Sequence, residues 1–107
     1  MQDRYHFDRF ELRLTERLLL DDGQPAEVGA RAFDLLVCLL AHRERVLTKG
    51  ELLDAVWPGL VVSDEALTQC IRTLRRVLQD SASTPRFIET VPKHGYRFIA
   101  AVSWQDA

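Results

Sequence analysis

Glu65, Thr68, Gln69, Arg72, Thr73, Arg75 and Arg76 fall within one short stretch of the chain. Their types suit recognition of a polyanion with hydrogen-bonding edges. Hydroxyl and amide groups can read the edges of bases, and guanidinium groups can reach bases or phosphates. The residues between them are apolar: Leu67, Cys70, Ile71, Leu74, Val77 and Leu78 recur at intervals of three and four. That spacing predicts a helix over 63–80 with one face toward a core and the polar set on the other. The same polar face would also suit a surface that only keeps a domain soluble, the commoner case for an arbitrary amphipathic helix, so its surroundings have to decide.

Ser63 is placed to cap this helix, with Asp64 and Glu65 in the first turn, where the helix dipole favours carboxylates. Upstream, Thr48-Lys49-Gly50-Glu51 has the pattern of a capping box and starts a helix over 48–57. Leu52, Leu53, Val56 and Trp57 are its apolar face, and Pro58-Gly59 stops it. Before that, Phe33, Leu36, Val37 and Leu40, widened by Leu35, Cys38, Leu39 and Ala41, predict a largely buried helix over 30–43. The last two helices make a helix-turn-helix with a longer turn than usual.

Downstream, 81–85 reads as a loop and 86–102 as a hairpin, 86–91 pairing with 96–102 across Pro92-Lys93-His94-Gly95. A hairpin with a cationic tip after a helix-turn-helix is a wing, although Lys93 and His94 also fit an ordinary polar turn. At the other end, alternating Tyr5, Phe7, Phe10, Leu12 and Leu14, then Leu18 to Leu20 before an Asp-Gly turn, predict a short-stranded antiparallel sheet over 5–28. Glu27-Val28 would be its last strand. The fold class is α+β, a single winged-helix domain over 1–107.

With 107 residues, 47% hydrophobic and 28% charged, the chain fits one soluble globular domain. It contains neither an apolar run of membrane-spanning length nor a signal-like start. The net charge of −2 argues against nucleic acid, but charge is unevenly spread. Residues 1–62 carry 8 basic and 11 acidic side chains, and residues 63–107 carry 6 and 5. Between Arg72 and Arg97 only Asp80 and Glu89 oppose Arg72, Arg75, Arg76, Arg86, Lys93 and Arg97, and the local field matters more than the total. Cys38 and Cys70 lie in apolar helical patterns without Cys-x-x-Cys spacing and read as free thiols. His6, His42 and His94 lack metal-ligand spacing, so neither a metal nor a cofactor is expected. Lys49-Gly50 lacks the order of a phosphate loop, and Asp21-Asp22 has no basic or nucleophilic neighbour. The chain does not read as an enzyme, and no small-molecule substrate is expected.

Three separated segments, Leu-Thr-Lys-Gly-Glu-Leu-Leu-Asp-Ala-Val-Trp (47–57), Ile-Arg-Thr-Leu-Arg-Arg-Val-Leu (71–78) and Thr-Val-Pro-Lys-His-Gly-Tyr-Arg-Phe (90–98), resemble the DNA-binding domain of the OmpR/PhoB winged-helix family. The resemblance covers about Phe7 to Val102. It implies an N-terminal four-stranded antiparallel sheet, three helices and a C-terminal hairpin wing, with helix 63–79 in the major groove of double-stranded DNA and the wing in the adjacent minor groove. It puts Glu65, Thr68, Gln69, Arg72 and Thr73 on base edges and Arg75 and Arg76 toward phosphates. It puts Thr90 and Tyr96 on backbone phosphates and Lys93 or His94 in the minor groove.

The 58–62 loop corresponds to the segment with which the family touches RNA polymerase, and a homodimer on tandem sites is a further implication. Many relatives have an arginine near the helix start and a basic pair after the isoleucine. This chain has Glu65 and Arg72-Thr73 there, so site preference does not carry over. Glu65 either accepts from a cytosine amine or caps the helix. If Met1 is the natural start, the chain resembles the ToxR/CadC branch, which carries its winged helix first. A cytoplasmic location is then expected, including that of the cytoplasmic part of a membrane-anchored regulator. A winged helix used for protein interaction, docking through the acidic N-terminal sheet, is the competing expectation.

Overall fold

Four short strands meander from the N-terminus: β1 (Asp3–Phe7), β2 (Phe10–Arg13), β3 (Leu18–Asp21) and β4 (Gln24–Pro25). Alternation sends Tyr5, Phe7, Phe10, Leu12 and Leu19 inward, where each is buried. Asp22 and Gly23 close the β3–β4 hairpin with φ of 52° and 82°, the pair of positive φ angles that an Asp-Gly two-residue turn supplies. The computed structural model describes residues 3–106.

This sheet has five strands in the order β4-β3-β2-β1-β8, against the four expected, because β8 (Ser103–Asp106) returns to pair antiparallel with β1. The register sets Tyr5 opposite Trp104, and their rings lie 4.5 Å apart. The fourth strand is Gln24–Pro25 rather than Glu27-Val28, which lies outside any strand. Pro25 has no amide to donate, and it sits on the sheet edge, where none is needed.

The helices are α1 (Ala30–Ala41), α2 (Lys49–Val56) and α3 (Asp64–Leu78). Against the expected spans, α1 ends two residues earlier, α2 loses its two cap residues Thr48 and Trp57, and α3 loses Ser63 at its start and Gln79 and Asp80 at its end. Thr48 caps α2 through a complete capping box: its Oγ1 accepts from the Glu51 amide, and the Glu51 carboxylate accepts from the Thr48 amide, both at 3.1 Å. Trp57 ends that helix, and Gly59 follows with φ of 74°. Along α1, Leu35, Leu36, Leu39 and Leu40 are fully buried, which makes it the central helix.

The expected hairpin contracts to β6 (Ile88–Val91) and β7 (Gly95–Phe98), and residues 99–102 leave the ladder to lead into β8. A two-residue strand preceding α2, β5 (Leu47–Thr48), pairs with the other edge of β7, giving a three-stranded sheet β5-β7-β6. Phe7, Phe10, Phe87 and Phe98 join the two sheets, with Phe7 edge-on to Phe98 at 5.2 Å and Phe10 edge-on to Phe87 at 5.6 Å. Such offset pairs add to the area they bury. The N-terminal sheet thus packs against the base of the wing. Among the described residues no helix is long and apolar enough to cross a membrane.

Candidate nucleic-acid interface

The buried side of α3 is Leu67, Cys70, Ile71, Leu74 and Leu78, with Val77 half-buried. That set fixes the rotation of the helix. Glu65, Gln69, Arg72 and Arg76 are consequently exposed, and Thr68, Thr73 and Arg75 are half-exposed along the flanks. The Thr68 hydroxyl donates to the Asp64 carbonyl at 3.3 Å. Ser63 occupies the N-cap position but its side chain makes no cap bond. At the other end Gln79 adopts φ of 56°, and the amides of Gln79 and Asp80 return to the carbonyls of Arg76 and Arg75, closing the helix in a left-handed cap.

Arg75 behaves differently from its neighbours. It is turned inward onto the wing, and one Nη donates to the Ile88 carbonyl at 2.8 Å and to Thr90 Oγ1 at 2.9 Å. Two residues assigned to phosphates by resemblance are thus bonded to each other. Tyr96 is buried at 7% exposure, opposite Leu47 in the β5–β7 pairing. Lys93 and His94 stand exposed at the wing turn, where Lys93 takes φ of 68°. Arg97 and Glu89 form a cross-strand ion pair at 2.8 Å.

The supports of this face were not among the expected site residues. The Asp80 carboxylate accepts from the amides of Arg86, Phe87 and Ile88 at 2.7, 3.3 and 2.8 Å, pinning the start of β6 to the end of α3. Arg9, held by Asp21 at 2.6 Å, donates to Gln79 Oε1 at 2.8 Å, and Asp8 pairs with Arg86 at 3.3 Å. The N-terminal sheet therefore braces the C-terminal end of α3. An Asp just after a helix was the only available signal, and it also fits a plain loop.

Two thiols lie in this framework and both are free. Burial pushes Cys70 up to about 11, with the Asp34 charge adding to it, and burial likewise raises Cys38. Both are poor nucleophiles near neutrality. Glu51 is pulled down to about 2, first by the Arg45 guanidinium at 2.6 Å and then by the Thr48 amide. Glu11 is also held low, mainly by its bond to Arg13. Among the described residues no group of His, Cys, Asp or Glu is arranged to hold a metal ion.

Residues 23–98, which hold the three helices, the strand before α2 and the wing after α3, match the family described as "Transcriptional regulatory protein, C terminal". The chain belongs to this OmpR/PhoB-type family. Among its relatives, the cholera toxin homolog transcriptional activator of Vibrio parahaemolyticus is 39% identical over 99 residues, which is 88% of this chain and 34% of that protein. The transcriptional activator CadC of Escherichia coli is 38% identical over 84 residues, 78% of this chain and 16% of that protein. The chain thus spans about a third or less of these curated relatives.

Among solved structures, the DNA-binding domain of E. coli CadC superimposes with a TM-score of 0.84 at 30% identity, covering 97% of this chain and 98% of that one. The Klebsiella pneumoniae RstA DNA-binding domain, solved in complex with the RstA box, gives 0.80 at 26% identity, covering 89% and 95%. The OmpR/PhoB-type winged helix is accordingly the fold of this chain.

Proposed function

We propose that this domain binds double-stranded DNA sequence-specifically, as the output domain of a bacterial transcription regulator acting in the cytoplasm. The observation that carries the reading is the outward face of α3: Gln69, Arg72 and Arg76 are exposed while the opposite face is locked into the core. A helix of this kind fits the major groove. The Klebsiella relative solved with its DNA box supports the same use of the fold.

In this reading Glu65, Thr68, Gln69, Arg72 and Thr73 face base edges and choose the site. Arg76 neutralises phosphate, and Lys93 and His94 enter the minor groove from the wing. Arg75 and Thr90 hold the wing against the helix, and Tyr96 anchors its base. The connection over 58–62 leaves Leu60 and Val61 at 58% and 104% exposure, two bare apolar side chains suited to a protein contact, which we assign to RNA polymerase. The family relationship supports a homodimer on tandem sites.

The acidic N-terminal sheet offers less as a protein-docking surface than its composition suggests. Glu11 pairs with Arg4, Asp21 with Arg9 and Asp8 with Arg86, so much of its charge is neutralised within the domain. Binding to random duplex DNA across a salt series separates the readings. A DNA-binding domain loses affinity steeply as salt rises, whereas an interaction module shows no salt-sensitive binding.

A further inference from the structure

The chain carries 14 Lys and Arg side chains. Most are occupied within the domain: Arg9 with Asp21, Arg13 with Glu11, Arg17 with Asp34, Arg45 with Glu51, Arg86 with Asp8 and Arg97 with Glu89. Arg4 pairs with Glu11, and Arg31, Arg43 and Arg75 donate to backbone carbonyls. Among the described residues, the exposed cations without such a partner are Lys49, Arg72, Arg76 and Lys93. Three of these lie on the recognition helix and the wing turn. The fourth, Lys49, is the first residue of α2, and its sequence context had offered only a rejected phosphate loop.

The strand register explains why Lys49 belongs with the others. Thr48 pairs with Gly95, and Leu47 with Tyr96, in antiparallel sense. The chain leaving Thr48 therefore runs toward the wing turn, and Lys49, the first residue of α2, follows directly on the last pair. The approach is close enough that a Cβ on Gly95 would lie 1.8 Å from the Leu47 carbonyl oxygen. Glu51, the nearest acid in sequence, is already engaged by Arg45 and by the Thr48 amide, so it does not claim the Lys49 ammonium.

We infer that Lys49 is a further DNA contact, gripping a backbone phosphate beside the wing. This inference rests on the duplex-binding reading above. It extends the footprint from two elements to three: α3 in the major groove, the wing turn in the minor groove, and the start of α2 on the phosphates flanking the wing. An ammonium there contributes affinity without choosing a sequence.

The test is a salt titration of binding to a random duplex and to a selected site, comparing the parent with Lys49→Ala and Lys49→Arg. One lost phosphate contact lowers the log–log salt slope by about 0.9, so affinity falls about threefold less between 50 and 200 mM salt. Lys49→Ala should show that change equally on both duplexes, keep the parent's unfolding midpoint and leave the preference for the selected site intact. Lys49→Arg should restore the slope. A parent that binds with a steep slope and a Lys49→Ala variant with the same slope would overturn the Lys49 assignment and leave duplex binding standing. A parent without salt-sensitive binding would overturn both.

Discussion

The Arg75 guanidinium lies 2.9 Å from Thr90 Oγ1 and also holds the Ile88 carbonyl, so the last turn of α3 and strand β6 form one mechanical piece. A wing attached in this way presents its turn at a fixed angle to the recognition helix. Interacting residues of this kind have non-additive mutational effects. Arg75→Ala and Thr90→Val should each destabilise the fold, and the double variant should lose about 1 kcal/mol less than the sum. Chemical denaturation of the four proteins measures this, and additive losses would remove Arg75 from its role as a strut.

Asp80 ties the same two elements from the other side, through three backbone amides. Hydrogen bonds to a charged group are each stronger than neutral ones, and their donors are left unpaired when the carboxylate goes. Asp80→Ala should cost about 2 kcal/mol of unfolding free energy. It should also weaken binding to a selected site more than binding to random duplex, because the loosened wing loses its alignment. Equal stability of variant and parent would refute the pinning role.

At Gly95 the constraint is steric. A methyl group would meet the Leu47 carbonyl oxygen at 1.8 Å and the Thr48 Cα at 3.0 Å, and both belong to backbone that β7 needs as its partner. Gly95→Ala should therefore separate β5 from β7 and destabilise the domain by about 1 to 3 kcal/mol. Hydrogen exchange should show faster exchange at the Leu47–Tyr96 pairing than at the β1–β2 pairing. Unchanged protection there would contradict the close approach.

Acid should weaken the start of α2. Glu51 titrates near 2 in the folded domain against an ordinary 4.5, the Arg45 bond being the main cause. Its folded pKa is depressed, so its contribution is complete above about 4.5 and disappears as pH falls toward 2. The unfolding midpoint should fall across that window in the parent, and by less in Glu51→Gln, which keeps a capping side chain but does not titrate. Parallel curves for the two proteins would show that Glu51 is not responsible.

Local periodicity made the interface helix legible. Leu67, Cys70, Ile71, Leu74 and Leu78 are buried as their spacing requires, which turns Gln69, Arg72 and Arg76 outward. The capping box at Thr48 and Glu51 was legible for the same reason, since its partners are three residues apart. What the sequence did not reveal depends on distant pairing. Strand β8 exists because Tyr5 meets Trp104 across nearly the whole chain. Two-residue β5 exists because Leu47 meets Tyr96. The reach of Arg75 to Ile88 and Thr90 was not legible either, because it depends on how the wing folds back, and nothing in residues 71–78 encodes that distance.

The most direct test of the account is a salt titration of duplex binding by the parent and by Arg72→Ala, Arg76→Ala and the double variant. Arg76→Ala should lower affinity for every duplex and reduce the salt slope by about 0.9. Arg72→Ala should cost about 1 to 3 kcal/mol on a selected site and narrow the preference for it. If all four proteins bind selected and random duplexes alike, with one common slope, the outward face of α3 does not grip DNA.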